Sequence, residues 1–337
     1  MTAVSTAGVE EFADAVTALD AAAGRAVVRS LIGAGADPLD VIDQVITPSQ
    51  HQVGLRWQRA EWTVTQQHAA TEVAIAAADE LRGLLPRADR RQGHVVLACA
   101  EREWHGLPIR LVAIALATAG WETTVLGAGV SPVRLGRHLH ELGPDAAALS
   151  CSVLAGLPTT RRFIEASAAA GVPTVVGGAA FGTDRRRAAA LGATSWAPSA
   201  AAAVRALAEL PLVAAPVPAL PRAQAAELAA LQDQRAGMLV ELGARWQPFG
   251  SQPPDRRQPD SLAEAVRDCL GQSLHAIAAA VLTGDPTVLA QTRDWVLAVL
   301  AARGAHLAAA DVAELGDLLA TAVREYPRAA AMLSAGW

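Results

Sequence analysis

The chain has 337 residues, of which 52% are hydrophobic, 18% charged and only 4% aromatic, with a formal net charge of −5. That length allows two or three domains of ordinary size, and the apolar fraction excludes a disordered chain. Every basic residue is an arginine, and arginines scattered through a mildly acidic chain speak against broad binding to nucleic acid or to a membrane surface.

Residues 1–90 read as a helical bundle. Phe12, Val16, Leu19, Val27 and Leu31 recur at helical spacing within one stretch from Val9 to Leu31, which the run from Gly33 to Asp37 ends. Asp37-Pro38 then starts a helix with the stripe Val41, Ile42, Val45 and Ile46, and a further helix is predicted over about 65–85. Residues 91–210 change period. Short apolar runs at 94–100, 122–126, 146–151 and 172–176, with a weak fifth at 194–196, alternate with helical stretches of about a dozen residues. Such alternation predicts βαβ units and a Rossmann-like (flavodoxin-like) parallel sheet, where ligands bind beyond the carboxyl ends of the strands. Residues 211–222 are proline-rich and read as a stiff linker. Residues 223–337 are helical again, with breaks expected at 248–255, a cap at Asp260-Ser261 and joints at Gly284-Asp285-Pro286 and Arg303-Gly304.

The segment Glu103-Trp104-His105-Gly106-Leu107-Pro108 follows the first strand. A histidine there can aim one ring nitrogen into the crevice while Glu103 holds the other, fixing the tautomer and raising its basicity as a ligand. The alternative is a loop histidine with a purely local hydrogen bond. Ser152-Val153-Leu154 after the third strand places a hydroxyl at the same sheet edge, and Gly177-Gly178 after the fourth removes two side chains where a ligand can lie. Helix capping and chain turning are their ordinary alternatives. Gly127-Ala-Gly129 is only a fragment of a dinucleotide loop and reads as a turn.

This set of residues resembles a cobalamin-binding domain of the base-off, histidine-on type: Glu103-x-His105, Ser152-x-Leu154, then Gly177-Gly178 with Phe181 close behind. The family's glycine after the histidine falls on Pro108, although Gly106 lies nearby. The resemblance implies that His105 is the lower axial ligand of cobalt, that Glu103 supports it, and that Ser152 meets the displaced dimethylbenzimidazole while the glycines admit the nucleotide tail. A second match lies in the bundle. Trp57, nine residues, then Gln67-His68 is similar to the tryptophan, nine residues, glutamate-histidine of cobalamin photoreceptors. It implies that Trp57 walls in the 5′-deoxyadenosyl group of adenosylcobalamin and that Gln67 and His68 line the same chamber. Packing within the bundle is the alternative for Trp57. Gln58 stands where some relatives carry a histidine able to ligate cobalt after photolysis, leaving His68 as the substitute.

The layout resembles the photocobilins, photoreceptors that pair cobalamin with a bilin held in a C-terminal globin-like helical domain; the winged helix usual in other cobalamin photoreceptors has no expected place. The resemblance implies biliverdin as a second cofactor. Trp246, His275, Arg293 and Trp295 are the candidate bilin residues, with Arg303, His306 and Tyr326 nearby in the same segment. An inward histidine satisfied in the core and arginines on a solvated face are the alternatives. A thioether through Cys269 is not expected, since a buried cysteine ordinarily just packs.

The favoured reading is therefore a cytoplasmic light sensor, not an enzyme, acting as a homo-oligomer whose state changes with light, with an unknown downstream effector and no nucleic-acid or membrane partner. Three distant cysteines form no disulfide framework, and no signal peptide or membrane span is evident. The runner-up is a methyl-carrying corrinoid protein, and a third reading is a structural protein with a decayed cobalamin fold.

Overall fold

The computed structural model describes residues 3–85, 92–101, 103, 105–246, 262–303 and 309–337. The expected break at 248–255, the Asp260-Ser261 cap and His306 lie outside them. The chain divides into two compact units, one of residues 1–55 and 65–217, the other of residues 56–64 and 218–337.

The first unit opens with α1 (Thr6–Thr17) and α2 (Ala21–Gly33). The single stretch expected over 9–31 is broken because Leu19 adopts a left-handed φ of 57° and Asp20 caps α2 through the amides of Ala22 and Ala23. Asp37 then caps the short α3 (Pro38–Asp40) by accepting from the Leu39 amide. A π-helical turn, Val41–Ile46, runs directly into α4 (Thr47–Gln58). Its Val41, Ile42, Val45 and Ile46 are all buried. In α5 (Val64–Leu84), Ala70, Val73, Ala74, Ala77, Ala78 and Leu81 form the inward stripe. Small residues bring these helices close: a Cβ on Gly24 would lie 2.9 Å from Val73.

Five strands follow: β1 (Gly93–Cys99), β2 (Trp121–Gly127), β3 (Ala146–Ser150), β4 (Thr174–Gly177) and β5 (Ser195–Trp196). They form one parallel sheet in the order β2-β1-β3-β4-β5, the flavodoxin-like order with its switch point between β1 and β3. The intervening helices are α6 (Leu107–Thr118), α7 (Pro132–Leu142), α8 (Leu157–Ala169), α9 (Arg186–Leu191) and α10 (Ala200–Ala208). Val95, Leu97 and Cys99 of β1 pack with Ile109, Ala113 and Leu116 of α6 and with Ala203 and Leu207 of α10. Val96 and Ala98, pointing the other way, are equally buried, as befits a sheet covered on both faces. Asp43 of the π turn ties the bundle to α10 by accepting from the Ala201 amide and the Ser199 hydroxyl.

The second unit is helical: α11 (Arg222–Arg245), α12 (Leu262–Thr283), α13 (Thr287–Ala302), α14 (Ala309–Ala322) and α15 (Pro327–Gly336). Between Ser273 and Leu282, α12 is buried at eight of ten positions, which marks it as central. Buried polar groups pin the helices. Gln224 donates to the carbonyls of Val281 and Leu282, Glu227 accepts from the Ala329 amide at the start of α15, and the Trp246 indole donates to the Asp311 carbonyl. Among the described residues no helix is long and apolar enough to cross a membrane.

Candidate cofactor site

β1 delivers the chain to Glu103 and His105 at the carboxyl edge of the sheet, beside the switch point. Glu103 is only 1% exposed. Its Oε1 accepts from the His105 amide (2.9 Å) and meets His105 Nδ1 at 2.5 Å, while Oε2 accepts from the amides of Ser152 (2.6 Å) and Val153 (3.2 Å). One carboxylate thereby fastens the loop after β1 to the loop after β3. Burial works against its charge, but the hydrogen bonds from His105 and Ser152 outweigh it and hold the carboxyl below its ordinary range. In turn, the hydrogen bond to Glu103 raises the His105 pKa against partial desolvation. The imidazole is 56% exposed, and its Nε2 carries no partner among the described residues. With Nδ1 committed to Glu103, the Nε2 lone pair is the group on offer.

That lone pair borders a cavity of about 890 Å³, at the upper end for cofactor pockets. His105, Gly106, Ser152, Gly177 and Gly178 line its sheet side. Gln50, His51, Gly54, Gln67 and His68 line its bundle side, from α4 and α5. Toward its depth it runs beneath α6 and α10, along Ala148, Ser150, Val175, Ala197 and Ala203. Gly178 has φ 105° and ψ 163°, and a Cβ there would strike the Cys151 carbonyl, so only glycine lets β4 turn under the loop after β3.

Not every expected residue lines the cavity. Leu154 opens a single 3₁₀ turn (Leu154–Gly156), Phe181 is fully buried in the core, and Glu103 acts through His105. Trp57 belongs to the second unit. Its ring stacks on Trp295 with centroids 6.3 Å apart, and the Arg303 guanidinium lies 5.1 Å above it while donating to the carbonyls of Trp57 and Gln58. The bilin candidates each have contacts of their own. Trp246 is 1% exposed with its indole satisfied, Arg293 pairs with Asp294 at 3.0 Å, and Trp295 serves Trp57. His275 is half-buried, and burial, aided by Arg235, pulls its pKa down to about 4. Burial pushes the Cys269 thiol up to about 12, which keeps it un-ionised and a poor nucleophile.

Sequence reasoning missed His51, Gln50 and Ser150. The first two follow from the inward face of α4. The Ser150-Cys151-Ser152 run was the visible signal for the third, because alternate residues of a strand share a face.

The cavity fits a bulky corrinoid. Gly54 and Gly106 line it, and a Cβ built on either meets no atom within 4 Å. Gln50 Nε2 and Ser150 Oγ are buried polar atoms of its lining without a hydrogen-bond partner. Residues 93–208 match the B12 binding domain family, and residues 9–82 match a second family also described as a B12 binding domain. The chain is 32% identical to the HTH-type transcriptional repressor CarH of Myxococcus xanthus over 146 residues, 42% of this chain and 48% of the repressor. It thus spans about half the length of that relative. It is 26% identical to trimethylamine corrinoid protein 2 of Methanosarcina acetivorans, over 49% of this chain and 80% of that protein. The monomethylamine corrinoid protein of Methanosarcina barkeri shares the fold, with a TM-score of 0.53 at 20% identity over 60% of this chain and 98% of that one. The two domain matches indicate a cobalamin cofactor.

Proposed function

We propose that this chain is a light-sensing protein that binds adenosylcobalamin with the lower base displaced and His105 beneath cobalt, and that its C-terminal helices take biliverdin as a second chromophore in a globin-like arrangement. The observation that carries the cobalamin half is the His105 Nε2 lone pair, unpartnered at the cavity while Nδ1 is locked on a buried carboxylate. When bound, the cofactor supplies a cobalt–carbon bond that visible light breaks.

The residues of the chain do the rest. Glu103 keeps the imidazole in one tautomer and orientation, so its nitrogen needs no reorganisation to act as a ligand. Gln50, His51, Gln67 and His68 form the opposite wall, and His68 remains the candidate ligand after photolysis because Gln58 has no imidazole. Residues 47–55 of α4 count with the first unit, whereas Trp57 joins Trp295 and Arg303 in the second. Loss of the adenosyl group from the cavity changes domain packing and biases the homo-oligomeric state. The chain carries out no reaction of its own in this reading and signals through a partner. For the bilin, support comes from the largely uncharged imidazole of His275 beside the apolar Leu274, Ile277 and Val281 of its helix, and from the similarity of layout.

A methyl-carrying corrinoid protein is the second reading, favoured by the match over 80% of trimethylamine corrinoid protein 2. One experiment separates them. The chain is loaded with adenosylcobalamin in the dark and its absorption recorded before and after green light. Conversion of the spectrum is the expected result. An unchanged spectrum, with methyl transfer from bound methylcobalamin, favours the carrier. Adding biliverdin should give a red-absorbing band that survives His105→Ala.

A further inference from the structure

The bundle wall of the cavity is more polar than a bundle interior needs to be. Thr47, Gln50 and His51 line it from α4 and Gln67, His68 and Thr71 from α5, each set recurring at three- or four-residue spacing along one helix face. Gln50 stands out among them. The Thr71 hydroxyl lies 3.2 Å from its Oε1 and 2.9 Å from the Gln67 carbonyl, which engages one end of the Gln50 amide. The other end, Nε2, is buried and has no hydrogen-bond partner among the described residues. The amide of Gln224 solves the same problem within the chain by donating to the carbonyls of Val281 and Leu282. A buried donor left unpaired is costly enough to need a reason, and simple packing of α4 on α5 would be served better by an apolar side chain.

The reason lies in what faces this wall. His105 approaches the cavity from the sheet side and Gln50 from the bundle side. With His105 beneath cobalt, the face of the cofactor turned toward Gln50 is the one that carries the upper axial group. A methyl group there brings no polar atom and leaves Nε2 unpaired. A 5′-deoxyadenosyl group brings ribose oxygens and adenine ring nitrogens, acceptors that need a donor once they leave water. We propose that Gln50 is a specificity-determining residue for the upper axial group, its Nε2 donating to an acceptor of the adenosyl moiety and finding none on methyl. This rests on the cobalamin reading above.

The test uses the full chain in the dark with two probes, adenosylcobalamin and methylcobalamin. Affinities are measured for wild type and Gln50→Met, which keeps the length of the side chain and removes its donors, together with melting temperatures of the unloaded proteins. Gln50→Met should weaken adenosylcobalamin binding about five- to tenfold, the worth of one hydrogen bond, and leave methylcobalamin within about twofold. The unloaded variant should melt close to wild type, because the donor it loses had no partner and Thr71 keeps the Gln67 carbonyl. The assignment is overturned if adenosylcobalamin binds the variant as it binds wild type. It is equally overturned if both corrinoids weaken alike, which would place the contact on the ring they share or, with a much lower melting temperature, make Gln50 a structural residue. If wild type binds cobalamin with a histidine-ligated spectrum, such a result removes Gln50 alone. If wild type binds neither corrinoid, the cobalamin reading falls and takes this assignment with it.

Discussion

At residue scale, Glu103 concentrates more consequence than any other side chain in the site. Its two oxygens take up three amides and the His105 ring. Glu103→Gln keeps the size but offers one accepting oxygen in place of two. It should cost about 2–3 kcal/mol of stability, read from urea unfolding, because buried amides lose their acceptor. Cobalamin affinity should also fall about 10- to 100-fold, the usual effect of removing the group behind a metal-binding histidine. Unchanged affinity would mean that the imidazole does not meet cobalt. Glu103 and His105 were legible in the sequence because two residues of suitable chemistry stood immediately after a strand. Ser150 was signalled only by its place two residues before Ser152, and its orphan hydroxyl not at all, since nothing in a sequence tells a satisfied hydroxyl from an orphan.

At the scale of elements, the apolar runs announced β1, β3 and β4 most clearly, because a strand buried on both faces has few polar positions to obscure it, whereas the edge strands β2 and β5 hold no buried residue. The helical bundle was harder to read. Leu19 ends α1 without a glycine, leaving Asp20 as the one visible signal of a new start. The π turn at 41–46 hides because its four apolar residues also satisfy α-helical spacing. Trp57 illustrates a deeper limit: its stacking partner Trp295 is far away in sequence, and no local pattern joins them. A double-mutant cycle over Trp57→Ala and Trp295→Ala measures that pairing. Each single change should destabilise the second unit by about 2–3 kcal/mol, with a coupling of about 1 kcal/mol in thermal unfolding. Strict additivity would mean that the two rings do not act as a pair.

For the whole molecule, stability should depend on pH through His275. Its folded pKa of about 4 lies below the ordinary 6.5, so the unfolded chain takes up the proton first as pH falls. This contribution is complete above about pH 6.5 and drains away toward pH 4, by about 3 kcal/mol at most. His275→Leu should flatten the denaturation profile over that window, and an unaltered slope would place the acid sensitivity elsewhere. The parallel sheet and the helical flanks were legible from the alternation of periods. The division into two units was not, because the turn after α4 is claimed by helices that follow more than 150 residues later. The central claim, that His105 ligates cobalt in place of the cofactor's own base, is most directly tested by electron paramagnetic resonance. The chain, labelled throughout with the spin-one-half isotope of nitrogen, is loaded with unlabelled cobalamin and reduced to the divalent cobalt state. A protein nitrogen on the metal should split each cobalt line into a doublet, and His105→Ala should abolish that splitting. A triplet from the unlabelled dimethylbenzimidazole would contradict the account.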